Sequence, residues 1–291
     1  MSYKWLKPAF LNGEFMPVEE ARVSVLDRGF LFGDGVYELI PAYEGRLFRL
    51  NEHLQRLARS LAEVRIPNPC SDESWRQILR DLISRARGGD LTVYLQITRG
   101  VAPRDHGFPQ NVEPTVFVMA SPLVSADPEL LVTGVSAVTL EDVRWQRCDI
   151  KSVSLLGNVL LRQQALDAGA VEAILIRNGC VTEGAASNLF IVQQGRIQTP
   201  PLGTDLLPGI TRDTVLELAR LNELPCLEET ILHADLLTAD EIWLTSSSKE
   251  VLPVTQLNGV RVGNGQPGPI WSRVHQLLQT YKHKLGSAAP V

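Results

Sequence analysis

The chain has no basic surplus, no paired-cysteine motif, no internal repeat and no long apolar run. Its 28 Lys and Arg stand against 33 Asp and Glu, a formal net charge of −5. Without a basic excess there is nothing to neutralise a phosphate backbone, which argues against nucleic-acid binding; a local basic pocket for a small anion stays open. Cys70, Cys148, Cys180 and Cys226 are scattered, with no CxxC pair and no adjoining histidine set. They predict reduced thiols rather than a disulfide frame or a zinc site. His53, His233, His275 and His283 show no metal-ligand spacing, so they read as surface or satisfied helical residues and no metal is expected. The segment from Met1 to Pro8 lacks the apolar core of a signal peptide, and no run reaches the length of a membrane span. A cytoplasmic protein is the expectation. No strand–GxGxxG–helix unit is present, which argues against a nicotinamide oxidoreductase.

What is present suits a globular enzyme. The 291 residues can build one large domain or two ordinary ones. Val23–Asp27 reads as a strand entering a turn, and Arg28–Ile40 as a glycine-rich bend feeding a strand, with Gly29, Gly33 and Gly35 at the bend. Asn51 reads as the N-cap of a helix whose apolar face carries Leu54, Leu57, Ala58 and Leu61, with Arg56 on the opposite side. A second helix is predicted from about Ser71, with Trp75, Ile78, Leu79, Leu82 and Ile83 in helical register. Leu91–Thr98 and Thr115–Met119 are predicted strands, and Arg99–Pro109 a polar loop between them. Asn178-Gly179 and Asn258-Gly259 mark turns, the first a hairpin. A helix is expected to start near Thr211, and a strand over Glu241–Ser248 to run out into hydroxyls. The reading is a smaller N-terminal α/β domain over 1–120, a linker over 121–131 and a larger C-terminal domain over 132–291. Strands and helices that do not strictly alternate place the chain in the α+β class.

Chemistry concentrates in a few places. Lys151 lies in a short extended run, with Ile150 and Val153 to Leu156 making a mostly apolar setting. Any single lysine is first a solvated surface group, but one in apolar surroundings is costly unless it loses its charge or becomes an imine. Glu183 lies in a turn after a hairpin strand; it is an ordinary turn carboxylate or the partner of a ring nitrogen. A Schiff-base lysine and a carboxylate that keeps a pyridine protonated are what pyridoxal 5'-phosphate (PLP) requires of a protein. Gly209–Asp213 opens a helix whose free N–H groups could hold a phosphate, although a simple Thr211 cap looks the same in sequence. Ser246 to Ser248 could add hydroxyl donors or form a polar strand end. Arg56 could pair with phosphate or sit on a solvated face. Arg104 and His106 form a cationic pair that could grip a carboxylate, or belong to a mobile surface loop. Tyr37 could reach a ligand through its hydroxyl or simply fill the core.

Together these segments resemble the fold-type IV PLP enzymes, the class IV aminotransferases, and within them the branch specific for D-amino acids. The resemblance covers nearly the whole chain. It is carried by Asp27-Arg-Gly, Phe32-Gly-Asp-Gly-Val-Tyr-Glu, Asn51-Glu-His, Gln96-Ile-Thr-Arg-Gly, Pro103-Arg-Asp-His, Asp142-Val-Arg-Trp, Arg147-Cys-Asp-Ile-Lys-Ser, Val181-Thr-Glu-Gly, Gly209-Ile-Thr-Arg-Asp and Thr245-Ser-Ser. The resemblance implies a C-terminal domain with a barrel-like sheet and the cofactor between the domains. It implies Lys151 as Schiff-base lysine and proton shuttle, and Glu183 as partner of the pyridine nitrogen. Arg56, the N–H groups of Ile210 and Thr211, and the hydroxyls of Ser246 and Ser247 would hold the phosphate, with Leu207 near the ring face. Tyr37, Arg104 and His106 would trap the substrate carboxylate and Leu39 would lie near its side chain. Arg104 and His106 would come from the neighbouring subunit of a homodimer. The implied reaction is ping-pong transamination of the type that turns D-alanine and 2-oxoglutarate into pyruvate and D-glutamate. The branched-chain L-aminotransferases, (R)-amine transaminases and aminodeoxychorismate lyases of the same fold are the alternatives, and a non-catalytic PLP-binding protein a remote one. One departure stands out: Ala185-Ala186 occupies positions where the family often carries serines, which removes hydroxyls near the cofactor.

Overall fold

Antiparallel pairing organises the first part of the chain. The computed structural model describes residues 8–86 and 89–287. The chain forms two compact units: one extends to Leu123 and also takes in Ile150–Ser154, the other comprises Val124–Asp149 and Leu155–Lys284.

In the first unit the elements are β1 (Pro8–Leu11), β2 (Glu14–Pro17), α1 (Arg28–Phe32), β3 (Gly35–Tyr43), β4 (Arg46–Leu47), α2 (Leu50–Glu63), α3 (Asp72–Ala86), β5 (Leu91–Thr98) and β6 (Thr115–Pro122). The six strands make one sheet in the order β2-β1-β6-β5-β3-β4, antiparallel throughout. The core packs Leu54, Leu57 and Leu61 of α2 and Trp75, Leu79 and Leu82 of α3 with Val93, Leu95 and Ile97 of β5. In β3 the two-residue period puts Val36, Glu38, Ile40 and Ala42 on the buried face and leaves Tyr37 and Leu39 half-buried on the other. That alternation later places a carboxylate in the core and an aromatic ring beside the candidate amine.

Three local expectations change. Val23–Asp27 is not a strand: the Ser24 hydroxyl accepts from the Leu26 N–H and its carbonyl from the Asp27 N–H, so the backbone turns and Val23, Val25 and Leu26 stay exposed. Asn51 does not cap α2; Arg49, in the left-handed region at φ 51°, is the cap, and Asn51 lies in the first turn, accepting from Arg76. Arg56 is not on a solvated face. It is 4% exposed, and His53 beside it is buried rather than at the surface. Both are accommodated because Glu38 meets them inside the core.

The second unit holds α4 (Pro128–Thr133), β7 (Val135–Glu141), α5 (Leu156–Asp167), β8 (Glu172–Arg177), β9 (Cys180–Gly184), β10 (Asn188–Gln193), β11 (Arg196–Thr199), α6 (Ile210–Leu221), β12 (Cys226–Glu228), α7 (His233–Thr238), β13 (Glu241–Ser246), β14 (Glu250–Leu257), β15 (Val260–Arg261) and, up to Lys284, α8 (Pro269–Ser287). Its sheet runs β12-β11-β10-β13-β14-β7-β8-β9, with β15 on β14. The pairs β7–β8, β7–β14 and β11–β12 are parallel and the others antiparallel. β9 also touches β10, so the sheet curls toward a barrel. Asn178-Gly179 and Asn258-Gly259 turn their hairpins with both residues at positive φ, as a type I′ turn requires. The expected strand from Glu241 ends at Ser246, because residues 247–249 form the turn into β14. Among the described residues no helix is long and apolar enough to cross a membrane.

Candidate active site

Lys151 lies on a short extended segment laid along β3. The Tyr37 N–H donates to the Lys151 carbonyl at 3.0 Å, the Val153 N–H donates to the Gly35 carbonyl at 3.1 Å, and Val36 bridges Ser152. Extended geometry sends successive side chains to opposite sides. Ile150 and Ser152 are buried, while Lys151 is half-buried with its Nζ 4.2 Å from the centre of the Tyr37 ring. A cation over an aromatic face is held without a counter-charge, which keeps the amine oriented and still available.

Beneath this segment lies a charged cluster. Arg56 donates from Nε to Glu38 Oε1 and from Nη2 to Glu38 Oε2, each at 2.8 Å, and His53 Nδ1 donates to Glu38 Oε2 at 2.7 Å. Burial works to raise the Glu38 pKa, but the two-pronged Arg56 contact and the imidazole N–H outweigh it and hold the carboxyl far below the usual carboxylate range. Burial pushes His53 below the ordinary histidine value despite Glu38, so the ring is neutral near pH 7 and donates through Nδ1. Among the described residues its Nε2 has no partner.

In the second unit Glu183 ends up in a cradle. Arg144 Nη1 donates to Oε1 at 2.5 Å; Asn188 Nδ2 and the Leu207 N–H each donate to Oε2 at 3.0 Å. Arg144 is itself fixed by two bonds to Asp142, at 2.9 and 2.8 Å, and Asp142 also accepts from the Thr182 hydroxyl. Burial pushes Glu183 up to about 7, against the pull of Arg144 and the Leu207 N–H and with help from the Asp142 charge. Asn188 also donates to the Leu207 carbonyl at 2.8 Å, which ties the strand carrying it to the loop ahead of α6. That helix starts at Ile210 with Gly209 as N-cap and no side-chain cap bond, leaving the N–H groups of Ile210 and Thr211 uncapped by a side chain. The strand pair Asn188–Thr245 brings Ser246 to the end of β13 next to this region, where its hydroxyl accepts from the Lys249 N–H. Ser247 follows in the turn.

Arg104 and His106 are exposed on the 99–109 loop. Both lean on one ring: the Arg104 guanidinium carbon is 5.2 Å from the Phe32 centroid, and the His106 ring is 5.4 Å from it. Within the first unit the structure therefore brings Lys151 to Tyr37, and Arg104 to His106; within the second it brings Glu183 to Leu207 and to the start of α6. Sequence reasoning missed Glu38, His53, Arg144, Asp142 and Asn188. A carboxylate on the apolar face of β3, with a histidine and an arginine three apart on the next helix, was the available signal for the first pair. Arg144 and Asp142 lay in a quoted motif without a role.

The sequence profile of the family described as "Amino-transferase class IV" matches residues 35–257. A D-alanine aminotransferase of Bacillus licheniformis is 44% identical over 268 residues, covering 92% of this chain and 94% of that protein. One from Staphylococcus haemolyticus is 41% identical over 273 residues, covering 94% and 96%. Among solved structures, a branched-chain amino acid aminotransferase from Escherichia coli is similar at a TM-score of 0.85 and 29% identity, covering 93% of this chain and 92% of that one. With matches of this extent, the chain belongs to the class IV aminotransferases.

Proposed function

We propose that this protein is a PLP-dependent aminotransferase acting on D-amino acids, by the reaction type that converts D-alanine and 2-oxoglutarate into pyruvate and D-glutamate. The observation that carries the substrate class is the identity of 44% and 41%, over more than nine-tenths of the chain, to D-alanine aminotransferases. The residues present suit the cofactor. Glu183 accepts three bonds, and a carboxylate has about four acceptor positions, so one is left for a protonated ring nitrogen. The start of α6, without a side-chain cap, suits a phosphate. Arg56, its guanidinium held in one orientation by the two bonds to Glu38, would supply a cation for the phosphate. The hydroxyls of Ser246 and Ser247 would complete the phosphate set, and Leu207 would lie near a ring face.

When bound, PLP supplies an aldehyde that condenses with amines and a ring that takes up the electron pair left by a departing Cα proton. Lys151 would hold the cofactor through Nζ. The same nitrogen would serve as the base that takes up and passes on the Cα proton, and the Tyr37 ring, 4.2 Å from it, would keep it aimed. Glu183 would keep the ring nitrogen protonated, and Arg144 and Asn188 hold Glu183 in place for it. Tyr37, Arg104 and His106 bind the substrate carboxylate, with Leu39 toward the side chain. Fixing the carboxylate decides which Cα substituent faces Lys151, and this selects the D-isomer. Arg104 and His106 act on the neighbouring subunit of a homodimer, a reading supported by their exposure within one chain. A cytoplasmic site of action belongs to the same proposal, supported by four free thiols.

The test is an assay of the PLP-loaded protein with D-alanine, L-leucine and (R)-1-phenylethylamine, each with 2-oxoglutarate. Turnover of D-alanine well above the other two is the expected result. Preference for L-leucine would move the protein to the branched-chain enzymes and overturn the D-specific reading.

A further inference from the structure

The loop that carries Arg104 and His106 is tied down from behind. Asp34, just after the left-handed Gly33 that closes α1, binds two arginines at once: Arg28 Nε at 2.8 Å, and Arg99 through Nε at 2.7 Å and Nη2 at 2.9 Å. Burial works to raise the Asp34 pKa, but both guanidinium groups outweigh it, so the carboxylate is ionised wherever the enzyme works. Arg28 is buried and spends its remaining reach on the loop backbone, donating from Nη1 to the Asp105 carbonyl at 2.5 Å and to the Gly107 carbonyl at 3.3 Å. Arg99, the loop's first residue, is itself anchored: it donates to the Val64 and Arg65 carbonyls at 2.8 and 3.0 Å, and its guanidinium lies 3.7 Å from the centroid of Phe108, near the loop's far end. Phe32, the last residue of α1, receives Arg28 as well as Arg104 and His106 on its ring. Asp105, whose carbonyl Arg28 grips, is the residue between Arg104 and His106.

We propose that Arg28, Asp34 and Arg99 are positioning residues for substrate-carboxylate recognition: they fix the loop so that Arg104 and His106 are preset before substrate arrives. The inference rests on the reading of Arg104 and His106 as the carboxylate trap. A loop that carries an arginine and a histidine loses side-chain and backbone freedom when it binds a small anion. Fixing its two central carbonyls beforehand removes much of that cost. Charge alone does not perform this task, because the guanidinium fork serves Asp34 and the two carbonyls from different nitrogens, which a lysine cannot do.

The experiment is a double-mutant cycle on the PLP-loaded enzyme, with KM and kcat for D-alanine as readouts and cofactor absorbance as a check on assembly. Arg104→Ala should raise KM through lost carboxylate binding. Arg28→Gln should raise KM by roughly tenfold with kcat changed far less, and should add little when combined with Arg104→Ala, because the residue it positions is gone. Arg28→Lys should recover only part of the loss. If Arg28→Gln does not assemble, Asp34→Asn, which keeps the shape and removes the charge, carries the same cycle. An Arg104→Ala enzyme with unchanged KM would overturn the trap itself, and the positioning proposal with it. A raised KM in Arg104→Ala to which Arg28→Gln or Asp34→Asn adds its full separate effect would leave the trap standing and overturn the positioning.

Discussion

Glu183 shows how one buried carboxyl ties stability to pH. Its ordinary value of 4.5 is raised to about 7. The folded chain therefore keeps a proton that the unfolded chain releases over that interval. For an acid shifted upward, the stability contribution is complete below the unfolded value and is lost as pH rises through the folded one. Cofactor-free wild type should accordingly lose thermal stability, relative to Glu183→Gln, as pH climbs from roughly 5 to 8, since the glutamine cannot ionise. Thermal melts of the two proteins across that range check it; a gap that stays flat means the carboxyl is not the titrating group. A protonated ring nitrogen beside Glu183 favours its charged form, so the dependence should shrink in the PLP-loaded protein. Glu38 behaves oppositely. Its depressed value makes its stabilisation complete above the ordinary value of 4.5 and lost progressively as pH falls below it.

Among the elements, the join between β10 and α6 links Glu183 to the helix start proposed to hold the phosphate. Gly209 caps the helix, and a Cβ there would lie 1.9 Å from Asn188 Oδ1 and 3.1 Å from its Cγ. Asn188 is buried and donates both to Glu183 and to the Leu207 carbonyl, so it has little room to yield. Gly209→Ala should therefore weaken PLP binding by roughly tenfold and cost about 1–3 kcal/mol of stability through overpacking. Gly203→Ala is the control, because a Cβ there meets nothing within 4 Å. PLP titration and melting of both variants check it; equal behaviour would show that the Asn188 contact is dispensable. Much at this scale was legible in sequence. The two Asn-Gly turns were readable because a type I′ turn needs two positive φ values, and α3 because Trp75, Leu79 and Leu82 repeat at helical spacing. The extended run at Lys151 was also readable. On α2 the buried Leu54, Leu57 and Leu61 were readable, but the burial of Arg56 and His53 was not, since they belong inside only because Glu38 arrives from β3, a meeting that no local pattern encodes. The cradle of Glu183 was hidden for the same reason: Arg144 lies 39 positions away in sequence.

Across the whole molecule, the proposed assembly turns on what one chain leaves exposed. On α5, Leu156, Val159 and Leu160 are 72%, 60% and 52% exposed and share one stripe at helical spacing. Val25, Phe30 and Val101 are likewise exposed in the first unit, near the loop that bears Arg104 and His106 in sequence and in its tethers. Such apolar exposure fits a surface that a second copy covers. If the trap acts across a two-fold interface, each site draws Lys151 from one subunit and Arg104 from the other. Lys151→Ala and Arg104→Ala homodimers should then both be poor enzymes at low D-alanine. A hybrid dimer made from one of each carries both lesions in one site and none in the other. Mixing the two variants under conditions that exchange subunits should therefore restore turnover at low D-alanine, with wild-type KM in the recovered fraction. If Arg104 served its own chain, every site in the hybrid would keep one lesion and mixing would restore nothing. Isolating the hybrid with distinct affinity tags and measuring KM on it decides between the two arrangements, because a weakened site and an intact one differ in KM even where their summed rates agree.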